Sequence, residues 1–196
     1  MKKFVLLYVF TFLFSPLSHS DILSNNDIDL HIEKLQVLNP AFVALRVKLE
    51  ANAESAKAMS QAKLNNGFQV IVGLGENANV DEYTDLETLV LENGYQSIDN
   101  WAEVNDRIET MYFTATNLAD FSRFINGKKT GIDAGTDIFS YIEDESNPED
   151  VRNMLAGKLT EQCELHCADS SDLNSIGKRY SDLLTAYNDL RKSKRK

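Results

Sequence analysis

Val80-Asp81-Glu82-Tyr83-Thr84-Asp85-Leu86-Glu87-Thr88-Leu89-Val90-Leu91-Glu92-Asn93-Gly94-Tyr95-Gln96-Ser97-Ile98 decides how this chain is organised. It reads as a helix, a corner and the start of a second helix. Asn79, with Glu82 three residues on, has the spacing of an N-cap and capping box, which satisfies free backbone N–H groups at a helix start. Gly94 stands where a C′ residue goes, because glycine enters the left-handed region without a Cβ clash. Tyr95 is then C″ and Val90 is C3, the apolar pair that accompanies a Schellman ending. Ser97 is placed to cap the second helix.

The helix from Ile98 carries apolar residues at alternating spacings of three and four: Trp101, Val104, Ile108, Met111, Ala115 and Leu118, then Ser122 and Ile125. Held over about seven turns, this is a helix-packing seam. Trp101, Tyr112 and Phe113 read as bundle core rather than a ligand pocket, since aromatics at seam spacing pack against a partner helix. Glu103 and Arg107 form an i,i+4 pair on the outer side, contributing about 0.3 kcal/mol.

Towards the C-terminus, Asn126-Gly127-Lys128-Lys129-Thr130-Gly131 is a loop, and a short helix is expected over residues 133–141. The acidic run from Glu143 to Asp150 lacks the order of an EF-hand loop and its sharp-turn glycine. It reads better as a helix start: Asn147 the cap, Pro148 at N1, and Glu149 and Asp150 at the positive helix end. Next comes a stripe spaced by four, Val151, Leu155, Leu159, Cys163 and Cys167. After the cap-like Asp169-Ser170-Ser171-Asp172 comes a last seam, Leu173, Ile176, Tyr180, Leu183, Tyr187 and Leu190. These two helices make a second αα-hairpin with the cysteines at its bend.

Towards the N-terminus, Asn65-Asn66-Gly67 ends a helix. Phe68 to Leu74 has strand composition but no partner strand, so a packed apolar helical or irregular connector is expected there. Phe42, Leu45, Leu49, Ala53, Ala56 and Met59 follow a helical stripe, although Val43, Leu45, Val47 and Leu49 also alternate like a strand. The alanine-rich continuation to Leu64 favours helix. Asn39-Pro40 reads as N-cap and N1 of that helix. Residues 21–38 are partly irregular and then form a short helix with Ile28, Ile32 and Leu35 on one face.

Residues 1–20 have the pattern of a signal peptide: Lys2-Lys3, an apolar Phe4 to Phe14, the breaker Pro16, and small Ser18 and Ser20 before a cut at Asp21. The apolar run is too short to span a bilayer. No cysteine stands just after it, so lipoprotein processing is unsupported. The expected location is the periplasm of a Gram-negative bacterium, or the medium. Residues 21–196 then form a single helical domain, all-α, a small bundle of five or six helices built from αα-hairpins. Its size permits burial of roughly 70% of the unfolded surface.

The whole chain has 20 Lys and Arg against 30 Asp and Glu, a net charge of −10, and loss of Lys2 and Lys3 makes it more acidic still. Such a surface repels phosphate backbones, so nucleic acid is not an expected partner. The basic tail of residues 191–196, Arg191 to Lys196, is the exception. It reads as a frayed, solvated helix end, with contact to anionic lipid or an acidic partner as its functional alternative.

Cys163-Glu164-Leu165-His166-Cys167 is the one candidate for chemistry. The leading reading is an intrachain disulfide, since export places two thiols in an oxidising compartment. Helix geometry puts Cα atoms four residues apart at about 6.2 Å, within reach. The Cβ atoms of a regular helix stay near 6 Å against a need of about 3.8 Å, so the helix is expected to unwind near Leu165. The alternative is a metal site of Cys163, His166 and Cys167, whose thiolates and imidazole suit Zn or Cu(I) but lack a fourth ligand. A redox pair ranks third, because the spacing is not C-x-x-C. The chain has three histidines in all, and no G-x-S-x-G, H-E-x-x-H or phosphate loop, so no catalytic residue or cofactor is assigned. Export, acidity and helical seams point to a non-catalytic binding or interaction protein with a protein partner in the cell envelope. Metal binding, and then an enzyme with unrecognised carboxylates, are the alternatives.

Overall fold

The computed structural model describes residues 23–63, 66–121, 124–125, 128–130, 132–133, 135–167 and 169–193. The proposed leader and its cut lie outside them, as do Leu64, Asn65, Ser122, Asn126, Gly127, Gly131 and residues 194–196 of the tail. The described residues form eight helices: α1 (Asn25–Glu50), α2 (Ala53–Ser60), α3 (Gly67–Ala78), α4 (Asp81–Glu92), α5 (Ile98–Phe121), α6 (Ile138–Glu143), α7 (Glu149–His166) and α8 (Ser171–Ser193). One minimal antiparallel pair, β1 (Phe124–Ile125) and β2 (Lys128–Lys129), joins α5 to α6. The all-α expectation therefore holds in outline, with more helices than the five or six anticipated.

The corner after α4 closes as a Schellman motif. Gly94 has φ +95°. The Tyr95 N–H donates to Val90 O at 3.3 Å and the Gly94 N–H to Leu91 O at 3.2 Å. Ser97 Oγ accepts from Asn100 N at 3.0 Å and so caps α5. Asn79 does not cap α4. It is the left-handed C-cap of α3, φ 49°, and the residue before α4 is Val80, which has no side chain to offer as a cap. With two residues between the helices, Asn79 turns the chain, a backbone task that asparagine tolerates.

Other expected boundaries move as well. α1 runs through Asn39-Pro40 without a break. Proline inside a helix costs about 3 kcal/mol, but Ile28, Leu35, Leu38, Phe42, Leu45 and Leu49 all bury along that one helix, each contributing about 1.5–3 kcal/mol. Packing on both sides of Pro40 outweighs its cost. Pro40 itself is exposed, so the carbonyl it cannot bond faces water. The helix starts at a Ser24–Asp27 capping box and covers most of the stretch read as irregular. It ends at Glu50, where Asn52 Oδ1 caps α2 by accepting from Glu54 N and Ser55 N. Asn66-Gly67 begins α3 rather than ending a helix, and residues 68–74 are helical. Gly75 matters there: a Cβ would stand 2.9 Å from Leu45 Cδ1, so glycine sets the close α1–α3 approach. α7 starts one residue later than expected, with Pro148 at its N-cap, because the Asn147 side chain bonds back to Tyr141 O at 3.0 Å. The short helix expected over residues 133–141 starts later and is α6, Ile138–Glu143, because Asp137 caps it by accepting from Phe139 N and Ser140 N.

α5 is the central helix and packs against α1, α3, α4, α6, α7 and α8. The narrow seam expected for it is instead burial nearly all round: Ala102, Asn105, Asp106, Thr110, Tyr112 and Ala119 join Trp101, Val104, Ile108, Met111 and Ala115 inside. It ends at Phe121, so Ile125 belongs to β1 and not to the helix. Its buried polar groups bond within the helix or across it. Asn105 Nδ2 donates to Trp101 O at 2.7 Å and Thr110 Oγ1 to Asp106 O at 2.6 Å.

Arg107 is not on the outer side. Its side chain is 10% exposed and forks onto Asp172, 1% exposed, with Nε to Oδ2 at 3.0 Å and Nη2 to Oδ1 at 2.7 Å. The expected partner Glu103 is a secondary contact at 3.7 Å. Asp172 Oδ1 also accepts from Leu23 N at 3.0 Å, which fixes the start of α1. Asp172→Ala is expected to cost about 3–5 kcal/mol, because it strands a buried guanidinium. The pair Arg107→Met with Asp172→Leu should recover most of that loss. Urea midpoints check both, and a loss below about 1 kcal/mol for Asp172→Ala would contradict the buried hub.

Candidate functional site: an aromatic groove beneath the second helix

α2 buries no residue of its own and packs on α1 and α3, its neighbours in sequence. Between it and the bundle runs a groove of about 920 Å³ walled by α1, α2, α3, α5 and α8. Its floor is aromatic. Phe42 stacks on Phe68 at 4.3 Å, and both meet the ring of Trp101 edge-on at 5.5 Å. Tyr187 stacks on Tyr112 at 4.2 Å, with Phe113 beside them. The rings are held from below by buried α1 and α5 side chains, so the floor is preformed.

Two carboxylates of α5 belong to this floor. Asp106 reaches across to α3, accepting from Phe68 N at 2.8 Å and Gln69 N at 3.0 Å. It serves as the cap that α3 lacks locally, since Asn66 makes no side-chain cap bond. Burial pushes its carboxyl above the usual range, and the backbone N–H bonds pull it back down. Glu109, one turn on, accepts from Tyr187 Oη at 3.2 Å. Behind them lies a cavity of about 20 Å³ that shares Asn39, Phe42, Phe68 and Glu109 with the groove. His31 and Tyr95 line it. His31 Nε2 lies 3.0 Å from Tyr187 Oη, so imidazole, phenol and carboxylate form one chain of hydrogen bonds.

The chemistry of that chain is set by burial. His31 is 2% exposed, and desolvation lowers its pKa to about 4 against a smaller raising effect of its bond with Asn105. Burial, reinforced by Glu109, holds the Tyr187 phenol well above its ordinary value. At neutral pH the imidazole is uncharged and the phenol protonated. With the imidazole N–H directed at Tyr187, the single phenol proton goes to Glu109. A base this weak and a phenol this reluctant to ionise are poorly matched to proton transfer near pH 7. They suit a rigid polar floor.

The rim carries three cations and one exposed carboxylate, Glu50. Arg46, Lys63 and Arg191 line the groove and are exposed. Arg46 is paired with Glu50 at 2.8 Å.

The cysteine site is elsewhere, at the α7–α8 bend. The sulfurs of Cys163 and Cys167 are joined at 2.03 Å. Their Cα atoms are 4.7 Å apart, drawn in from the regular helical spacing. Yet the helix does not unwind at Leu165. Cys167 N still donates to Cys163 O at 2.8 Å, and the chain leaves the helix only at Cys167, ψ 145°. The distortion sits in the terminal turn, where no further helical bond has to be kept. Sulfurs bonded to each other are not thiolate ligands, and His166 is left as a lone imidazole. Among the described residues no group of three or more His, Cys, Asp and Glu is placed to hold a metal ion. Nor is any described helix long and apolar enough to cross a membrane.

Sequence reasoning passed over the groove. Of the aromatics weighed, Trp101 and Tyr112 are core but Phe113 lines the groove. The usable signal was polar residues on apolar faces: His31 on the stripe of α1, Asp106 and Glu109 along α5. Comparison with protein-family models, with curated proteins and with solved structures finds no match.

Stability should report His31 directly. A base whose folded pKa lies below its unfolded value makes the unfolded chain bind more protons between the two. Stability therefore falls as pH drops from about 6.5 to about 4, by up to about 3 kcal/mol from this group. His31→Gln should flatten that part of the profile relative to the parent. Parallel profiles would show that His31 is not buried neutral.

Proposed function

We propose that this is an exported, non-catalytic binding protein whose groove takes an amphipathic organic anion, with an apolar or aromatic body and one acidic end. The observation that carries this is the pairing of an aromatic floor with a rim on which three exposed cations, Arg46, Lys63 and Arg191, outnumber the one exposed carboxylate, Glu50, in a chain of net charge −10. Phe42, Phe68 and Phe113 offer the body stacking and apolar contact. Lys63 and Arg191 stand where an anionic head would emerge. Asp106 and Glu109 already hold partners in the floor and present no open demand for a cation. α2, anchored only through its neighbours, is the wall that can adjust to the bound body.

Two dyes with related ring systems test this. Anilinonaphthalene sulfonate carries an anion, and N-phenyl-1-naphthylamine does not. One sulfonate dye should bind per chain, more tightly than the neutral one by about tenfold. Lys63→Glu with Arg191→Glu should remove that preference and leave the neutral dye unaffected. Ala56→Trp, which fills the groove from α2, should abolish both. Equal binding of the two dyes, or binding that survives Ala56→Trp, would overturn the reading. Export is tested separately: N-terminal sequencing of the protein from the cell envelope should begin at Asp21, and an intact Met1 would sink it.

A further inference from the structure

The outer side of α1, opposite its buried stripe, is apolar where solvent would favour charge. Val37 is 49% exposed and Val47 59%, with Pro40 and Ala44 exposed between them. At 3.6 residues per turn these four lie on one side of the helix, along about 15 Å of its length. Scattered surface valines need no explanation, but an aligned strip does. Beside it α4 packs antiparallel to α1, and a shallow groove of about 380 Å³ runs between them. Ala41, Ala44 and Leu89 make its apolar bed, and Glu82 and Asp85 its edge.

Acidic residues predominate on this side. From Glu76 through the end of α4 the chain has no Lys or Arg, yet carries six Asp and Glu. Asp81, Asp85 and Glu92 of α4 are exposed, as is Glu76 just before it. Lys48 of α1 pairs with Glu82 of α4 at 3.5 Å. An acidic edge beside an apolar strip selects a partner that is apolar on one face and basic on its flanks. The trough between two antiparallel helices has the shape that receives a third. A second copy of this chain would set acid against acid.

We infer that the α1–α4 ridge docks a basic amphipathic helix of a partner protein. This site is independent of the ligand groove: the apolar residues of the strip, Val37, Pro40, Ala44 and Val47, line no part of it.

The probe is a helix-forming peptide of Leu and Lys in amphipathic order, read by fluorescence anisotropy against the whole protein, with a Leu/Glu peptide as its counterpart. The Leu/Lys peptide should bind and the Leu/Glu peptide should not. Val37→Ser with Val47→Ser should weaken binding by about tenfold. Asp85→Lys should weaken it and reduce its dependence on salt. Both variants should keep the sulfonate-dye binding of the parent, which shows an intact fold and separates failure here from failure of the groove reading. If the serine variant loses helix content, Asp85→Lys alone decides. Peptide binding unchanged by these substitutions would mean diffuse attraction to an acidic surface and would overturn the proposal. So would a parent dimer that the serine substitutions dissociate.

Discussion

A buried carboxylate holds this molecule in register. Asp172 receives three donors, two from the Arg107 guanidinium and one from the Leu23 backbone. The donors come from the middle of α5 and the start of α1, and the acceptor stands in the first turn of α8. Bringing two charges out of water costs several kcal/mol each, and only full hydrogen bonding and close approach repay it. The arrangement is all or nothing, so its main product is specificity: one alignment of three helices satisfies it. Its place in the first turn of α8 helps, since a helix N-terminus favours negative charge.

The residue before Arg107 extends the same logic in another direction. Successive residues on a helix point about 100° apart, so Asp106 and Arg107 reach different neighbours. Asp106 takes the free N–H groups of α3 while Arg107 takes α8. With α5 pinned on both sides, its residues at spacings of three and four, Asp106, Glu109 and Phe113, must face the groove together. α8, aligned from Asp172, brings Tyr187 under them to meet Glu109 and His31. The groove floor thus depends on the same constraint as the fold.

α2 contributes little to that frame, and the disulfide ties only the last turn of α7 to its own cap. Charge is unevenly placed: Arg46, Lys63 and Arg191 stand on the groove with Glu50, while α4 carries five Asp and Glu and no Lys or Arg.

Local chemistry was legible in the sequence because it is decided within five or six residues. Gly94 must turn left-handed, Ser97 can cap, and the stripe of α8 must face inward whatever it meets. The sulfurs of Cys163 and Cys167 needed only a helix end. What the sequence could not give is pairing between residues far apart. Arg107 has an apparent partner four residues away in Glu103, and its real one is 65 residues on in Asp172. Asp106 caps a helix 38 residues upstream. Pro40 reads as a helix start until packing on both of its sides carries the helix through. α1 looked half like a strand because its outer side is apolar as well as its inner one, and no periodicity tells which side the core will take. Tertiary structure decided these cases because desolvation makes a buried charge take whichever partner the packing supplies, and that partner is set by three dimensions and not by spacing along the chain.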